Sequence, residues 1–353
     1  MTRDLKISLI SPTERSGGAL YSKKLAKVLD ADVVPAEHSL LRILKSISKH
    51  EPDVVDIQFE YTTFGSHLRT VVLLPVLALL LRAYSRVVIT VHGIVTNESV
   101  ADRRFPRTLV SAYTVSVRVA TLFACAIVVH STAMERALAH LGVKRMYVIP
   151  HGSDAPSPNV YPTLDEVILF FGFLKPSKGI DRLIEAYSKV EGVYPNSKLL
   201  IAGSVQSLDG ELYLENLREL VQTLGLEDKV SFRIGFFTEQ EKRSLGSEAR
   251  ILVLPYVDRF VEVSGVAHDF AGSGLILICS RTPRFEEFTD GVDCMKIDTT
   301  ASEIAKGICE LLDGPQRGNH LRTGLVEFAK STSWPKIAEA RLRLYKHLLS
   351  AGS

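Results

Sequence analysis

Cysteine is scarce in this chain: four residues in 353, at Cys125, Cys279, Cys294 and Cys309, with no C-x-x-C pair among them. That spacing excludes a zinc ribbon or a redox dithiol and leaves reduced core or near-surface thiols as the expectation, in keeping with a cytoplasmic location. Long hydrophobic runs are missing as well. Val71 to Leu81, VVLLPVLALLL, is eleven residues with an internal proline, too short to cross a bilayer. The opening residues MTRDLKISLIS pass straight into a strand pattern, without the apolar core and small-residue cleavage site of an export signal, so no export is expected. Net charge is nearly absent too, +2 from 42 Lys+Arg and 40 Asp+Glu, and no nucleic-acid partner is expected.

What is present is the composition of a folded globular protein, 46% hydrophobic and 23% charged, at a length that suits two domains of roughly 150 to 200 residues. The small net charge hides an asymmetry. Residues 1 to 150 hold 19 Lys+Arg against 12 Asp+Glu, a net of +7, while the remainder holds 23 against 28, a net of −5. A basic first half containing Val71 to Leu81 and Arg82, Arg86, Arg103, Arg104 and Arg107 suggests contact with something anionic, and peripheral attachment to the inner face of a membrane is one expectation. For the apolar run itself, base rates favour a buried helix of an α/β domain.

Strand-like runs alternate with helical ones throughout. Lys6 to Ser11, Val54 to Phe59, Val87 to Val91, Ala126 to Val129 and Met146 to Ile149 read as strands of a first parallel sheet covered on both faces. The polar stretch Ser153 to Pro162 reads as a linker. The rhythm then restarts with Val167 to Phe171, Lys198 to Ala202, Val230 to Ile234, Ile251 to Leu254 and Leu275 to Cys279. The expected domains are 1–155, 156–332 and a terminal amphipathic helix, 333–353, returning to the first domain. Two doubly wound domains place a ligand cleft at the carboxyl ends of their strands.

Chemistry-bearing residues recur at those strand ends. Gly17-Gly18 reads as a loop between the first strand and first helix, where backbone amides can approach a phosphate or sugar. His92, His130 and His151 each follow a strand, and an imidazole there can donate a hydrogen bond to a sugar hydroxyl. None of them shows the helical i, i+4 spacing beside a carboxylate that a zinc site needs, and no metal is expected. In ILFFGFLKPSKGIDRLIEA (168 to 186), a turn at Gly172, a lysine at Lys178 and a following amphipathic helix aim a cation and free amides at one point, which suits a diphosphate. An ordinary βα turn with a solvated lysine has the same local pattern. Tyr256 ends a strand, and Ser264-Gly265 opens a helix carrying His268 and Asp269, with Pro283-Arg284-Phe285-Glu286-Glu287 after the next strand.

In their order and spacing these segments, with ITVHG (89 to 93), IVVHSTAMERAL (127 to 138), YVIPHG (147 to 152), LLIAGS (199 to 204), ILVLPY (251 to 256) and SWPKIAEARLRLY (333 to 345), resemble glycosyltransferase family 4 over nearly the whole chain. The resemblance implies the GT-B fold, two facing Rossmann-like domains with doubly wound parallel sheets. It also implies transfer of a sugar from a nucleoside-diphosphate donor to a hydroxyl of a lipid-linked, glycan or polysaccharide acceptor, with retention at the anomeric carbon and no obligatory metal or other cofactor. Lys178, His92 and Glu262 would be the catalytic residues. Gly17, Gly18, Gly172, Lys175, Tyr256, Ser264, Gly265, Val266 and Asp269 would surround the donor. The chain departs from the family pattern at Phe173, where most members have arginine, and at Val261, where most have glutamate; Glu262 would then replace that group after a local shift, and Asp269 would bind the ribose. These departures leave open a catalytically impaired homologue acting as a binding or partner subunit, and a nucleotide-sugar epimerase is a third reading.

Overall fold

Two six-stranded parallel sheets, each flanked by helices, organise the computed structural model, which describes residues 5–12, 16–95, 107–156 and 166–351. The chain divides into unit 1, Met1–Gly152 with Arg259–Gly265 and Thr332–Ser353, and unit 2, Ser153–Asp258 with Val266–Ser331. Residues 103 and 104 and most of the linker stretch lie outside the described residues.

In unit 1 the strands are β1 (Ile7–Ser11), β2 (Asp32–Pro35), β3 (Val54–Phe59), β4 (Arg86–Val91), β6 (Ala126–Val129) and β7 (Met146–Val148), ordered β2-β1-β3-β4-β6-β7. Two-residue strands β5 (Gly93–Ile94) and β12 (Val261–Glu262) pair antiparallel, Glu262 opposite Gly93. The helices are α1 (Gly17–Leu29), α2 (Leu40–His50), α3 (His67–Leu81), α4 (Arg107–Phe123), α5 (Thr132–His140) and α12 (Trp334–Ser350). Gly17-Gly18 is the first turn of α1 rather than a loop, because Ser16 caps the helix by accepting from the Ala19 amide. Pro75 inside α3 removes the amide that would bond the Val71 carbonyl, and the Ser116 hydroxyl of α4 donates to that carbonyl instead, at 2.7 Å.

The last helix completes the core of unit 1. Arg341 of α12, fully buried, donates to Asp56 at 3.0 Å, to the Thr90 hydroxyl at 2.7 Å and to the Tyr21 hydroxyl at 3.0 Å. Tyr345 donates to the same Asp56 carboxylate at 2.6 Å. A charged residue in the middle of a parallel strand is tolerable only with such a partner set.

Unit 2 contains β8 (Val167–Phe173), β9 (Lys198–Ser204), β10 (Val230–Ile234), β11 (Ile251–Leu254), β13 (Ile276–Ser280) and β14 (Met295–Ile297), ordered β10-β9-β8-β11-β13-β14. This is the doubly wound Rossmann order, with its reversal between β8 and β11. The helices are α6 (Ile180–Glu191), α7 (Leu208–Thr223), α8 (Glu239–Glu248), α9 (Gly265–Phe270), α10 (Ala301–Asp313) and α11 (Pro315–Ser331). Gly172 lies within β8, not in a turn. It has φ +145° and faces Gly203 of β9, φ +151°, where a Cβ would overlap the Gly172 carbonyl. Two glycines let the strands approach where no side chain fits.

Candidate active site

The topology of unit 2 decides which loops meet. Ligands of open α/β sheets bind where the strand order reverses, and here the segments after β8 and β11 meet at that place: the Val257 amide donates to the Ser177 carbonyl at 3.0 Å. The chain after β8 makes one 3₁₀ turn, Pro176–Lys178, and Gly179 at φ +65° redirects it into α6.

Lys178, at the end of that turn, is not the solvated lysine of an ordinary turn; it is 7% exposed. Its ammonium stands 3.5 Å over the centre of the Tyr256 ring and makes no hydrogen bond or ion pair among the described residues. Burial pushes its pKa well below the ordinary lysine value, and the charges of Arg284 and Lys175 push the same way, against the attraction of Asp258. The Arg284 guanidinium lies 5.3 Å from the same ring and pairs with Asp258 at 2.7 Å, both residues buried. Two buried basic side chains therefore share one ring, and of the two only Arg284 is paired with the buried carboxylate. Ser177, also buried, has a hydroxyl without a hydrogen-bond partner among the described residues. Gly172 completes the group: a Cβ there would lie 3.7 Å from the Tyr256 hydroxyl and 3.8 Å from Val266.

The structure thus brings Gly172, Lys178, Tyr256 and Val266 together, with Lys175 at the start of the 3₁₀ turn. Arg284 and Asp258 are the members that sequence reasoning passed over. The readable signal was Pro283-Arg284-Phe285 directly after β13, the neighbour of β11 in the sheet. Asp269, one turn along α9 from Val266, accepts from Lys242 of α8 at 2.8 Å, so a ribose hydroxyl would have to share its carboxylate.

In unit 1 the corresponding reversal falls between β1 and β3. Gly18, at the start of α1, faces the Glu60 carboxylate after β3, where any Cβ would collide. The three strand-end histidines converge on Tyr21, their ring centres 4.8 Å (His92), 4.9 Å (His130) and 4.9 Å (His151) from it. His130 Nδ1 lies 3.0 Å from the Ile149 carbonyl, which can only accept, so that nitrogen carries the hydrogen. Burial above all, then the neighbouring His92, His151 and Arg341, drives the His130 pKa well down. Neutral His130 therefore accepts at Nε2 from His92 Nδ1, 3.3 Å away. His92 Nε2 is then an acceptor too, so the Gln58 carboxamide, whose oxygen lies 3.0 Å from it, must turn over to present its nitrogen, which otherwise has no partner among the described residues. Burial, with a smaller push from Arg341, lowers the His92 pKa to about 3. Both His92 nitrogens are thus taken up inside unit 1, where a donor free for a sugar hydroxyl was expected.

Glu262 also belongs to unit 1. Its strand pairing holds the carboxylate against Gly93, and neighbouring Val261 is buried in the core of that unit. Ser264 is buried, and Gly265 packs towards His151, where a Cβ would be 3.6 Å from Nε2. No group of three or more His, Cys, Asp or Glu side chains among the described residues is arranged to hold a metal ion.

Comparison with known proteins agrees with this architecture. Residues 165–314 match the family model described as glycosyl transferases group 1. An uncharacterized glycosyltransferase of Methanocaldococcus jannaschii is 39% identical over 187 residues, 52% of this chain and 45% of the relative. The chain spans less than half the length of the curated relatives it matches. Among solved structures, Anabaena HepE in complex with UDP and glucose superposes with a TM-score of 0.76 at 16% identity, over 97% of this chain and 100% of that one. Sucrose-phosphate synthase from Thermosynechococcus elongatus gives 0.78 at 18%, over 99% and 100%. The fold of the chain is therefore GT-B, two parallel-sheet α/β units, with the match to group 1 glycosyl transferases falling in the second.

Proposed function

We propose that the chain is a retaining glycosyltransferase that moves a sugar from a nucleoside diphosphate to a hydroxyl of a lipid-linked, glycan or polysaccharide acceptor. The observation that carries this reading is the Lys178 ammonium, buried with no hydrogen bond or ion pair among the described residues, beside Arg284 and at the strand-order reversal of unit 2. A buried cation without a counter-ion is costly unless a ligand supplies the anion. A diphosphate does so, and its affinity for this place rises as negative charge develops on it.

In the reaction the bond between the anomeric carbon and the diphosphate oxygen breaks, and a bond from the acceptor oxygen forms on the same face. The electron pair of the broken bond stays on the diphosphate. Lys178 and Arg284 neutralise that charge where it appears, which lowers the barrier without a metal. The acceptor proton passes to the departing phosphate oxygen, so no protein base is required. Tyr256 fixes both cations against its ring face, an arrangement that keeps them in place before the donor arrives.

A second reading has its own observation: Val261 is in the core of unit 1 and Asp269 is held by Lys242, so neither carboxylate position of the family pattern is free. This is the catalytically impaired homologue that binds a nucleotide sugar as a partner subunit. Incubating the purified protein with a panel of nucleoside-diphosphate sugars and hydroxyl acceptors, and measuring nucleotide release, separates the two. The first reading predicts turnover with at least one donor and its loss in folded Lys178→Ala. Normal turnover in that variant would overturn the role of Lys178; donor binding without turnover would favour the second reading.

A further inference from the structure

Helices α3 and α4 of unit 1 pack side by side, yet each leaves a second apolar stripe in solvent. On α3 the face made by Leu74, Leu77 and Leu81 is buried. Leu68 (75% exposed), Val72 and Leu79 recur on the opposite side at i, i+4, i+11. On α4, Val115 (60%), Val119 and Leu122 (68%) recur at i, i+4, i+7. Between the two helices runs a groove lined by Val71, Pro75, Ala112, Val115 and Val119. Single exposed apolar residues are ordinary, but two adjoining stripes form a patch of the kind that marks an interaction surface.

Its charge identifies the occupant. Neither helix contains an aspartate or glutamate, and there is none from Tyr61 to Val95 or from Arg107 to Met134. Among the described residues of these two segments the exposed charges are arginines, Arg82 and Arg118. A second copy of the chain meeting this face about a two-fold axis would set those arginines against their own counterparts. An anionic lipid surface instead takes the apolar stripes into its acyl boundary and the arginines at its headgroups. No helix among the described residues is long and apolar enough to cross a membrane.

We propose that the α3–α4 face docks on the surface of an anionic bilayer, lying in the interface without spanning it. This does not depend on the transfer reaction proposed above. The test is flotation of the full chain with vesicles of phosphatidylcholine alone and of phosphatidylcholine with about 30% phosphatidylglycerol, at low and high salt. The protein is expected to float with the anionic vesicles at low salt and to be released by salt. Val72→Glu with Val115→Glu should cut the floating fraction at least about tenfold. Both sites face solvent, so the unfolding midpoint should hold, and Leu79→Gln with Val119→Gln provides an uncharged second pair. Protein left at the bottom with anionic vesicles at low salt overturns the proposal. So does a concentration-dependent dimer, seen by light scattering, that the glutamate pair converts to monomer, since the face then belongs to a second copy.

Discussion

Removing the guanidinium of Arg341 while keeping Asp56 isolates the interaction on which the core of unit 1 is built. Arg341 and Asp56 are both fully buried, and the guanidinium bonds the carboxylate, Thr90 and Tyr21 at once. Arg341→Leu fills much of the volume but strands the carboxylate with only the Thr90 and Tyr345 hydroxyls as donors. Breaking a buried pair in this way costs about 3–5 kcal/mol. At an m-value of about 2 kcal/mol/M the first urea transition should fall by about 2 M. Adding Asp56→Val removes the stranded charge and suits a strand, so the double variant should recover at least about 2 kcal/mol, the residue being the hydroxyls of Tyr21, Thr90 and Tyr345 left without these partners. Urea unfolding followed by hydrogen exchange at unit 1 amides reads both quantities. A loss below about 1 kcal/mol in the single variant, or no recovery in the double, would refute the reasoning.

The histidine cluster predicts acid sensitivity. His92 and His130 have pKa values below the unfolded value of about 6.5, so the unfolded chain binds the extra protons and stability falls as pH drops below that value. Each contributes a slope of about 1.4 kcal/mol per pH unit, to be measured as the urea midpoint between pH 7 and 5; His130→Asn should lower the slope by about one proton, and a flat profile in the parent protein would contradict the cluster. In unit 2, Gly203→Ala must displace the Gly172 carbonyl from a backbone of φ +151°. A loss of about 3 kcal/mol or more is expected from backbone strain and crowding together, and a change within 0.5 kcal/mol in thermal unfolding would exclude the close approach.

Most of the architecture is visible in the amino-acid order, because a parallel sheet buried on both faces demands continuous apolar strands such as Val54–Phe59 and Ala126–Val129, and these occur where expected. β2 escaped notice because it is an edge strand whose Asp32 and Val33 are exposed, and α2 because it buries only Ile43 and Ile47. The β5–β12 pair joins residues far apart in the chain, and nothing local in Val261–Glu262 announces it. The site divides similarly. Lys178 and Tyr256 stand next to strand ends and were readable from position alone. Arg284 reaches them because β13 lies beside β11, and Asp269 meets Lys242 because α8 packs near α9; both depend on sheet order and helix packing, which local periodicity does not encode. The tautomer of His92 depends on Gln58, His130 and the Ile149 carbonyl together, three contacts from three separate segments.

The central claim is that Lys178 and Arg284 together make an anion site in unit 2. It is tested most directly by calorimetric titration of uridine diphosphate and of inorganic pyrophosphate into the full chain and into Lys178→Met and Arg284→Gln, each checked for a cooperative unfolding transition well above the titration temperature, since Arg284→Gln also breaks the buried pair with Asp258 and lowers its midpoint. Loss of either charge-assisted contact should cost about 2–4 kcal/mol, about 30- to 1,000-fold in Kd, for both ligands. Equal affinity in the parent and both variants would contradict it.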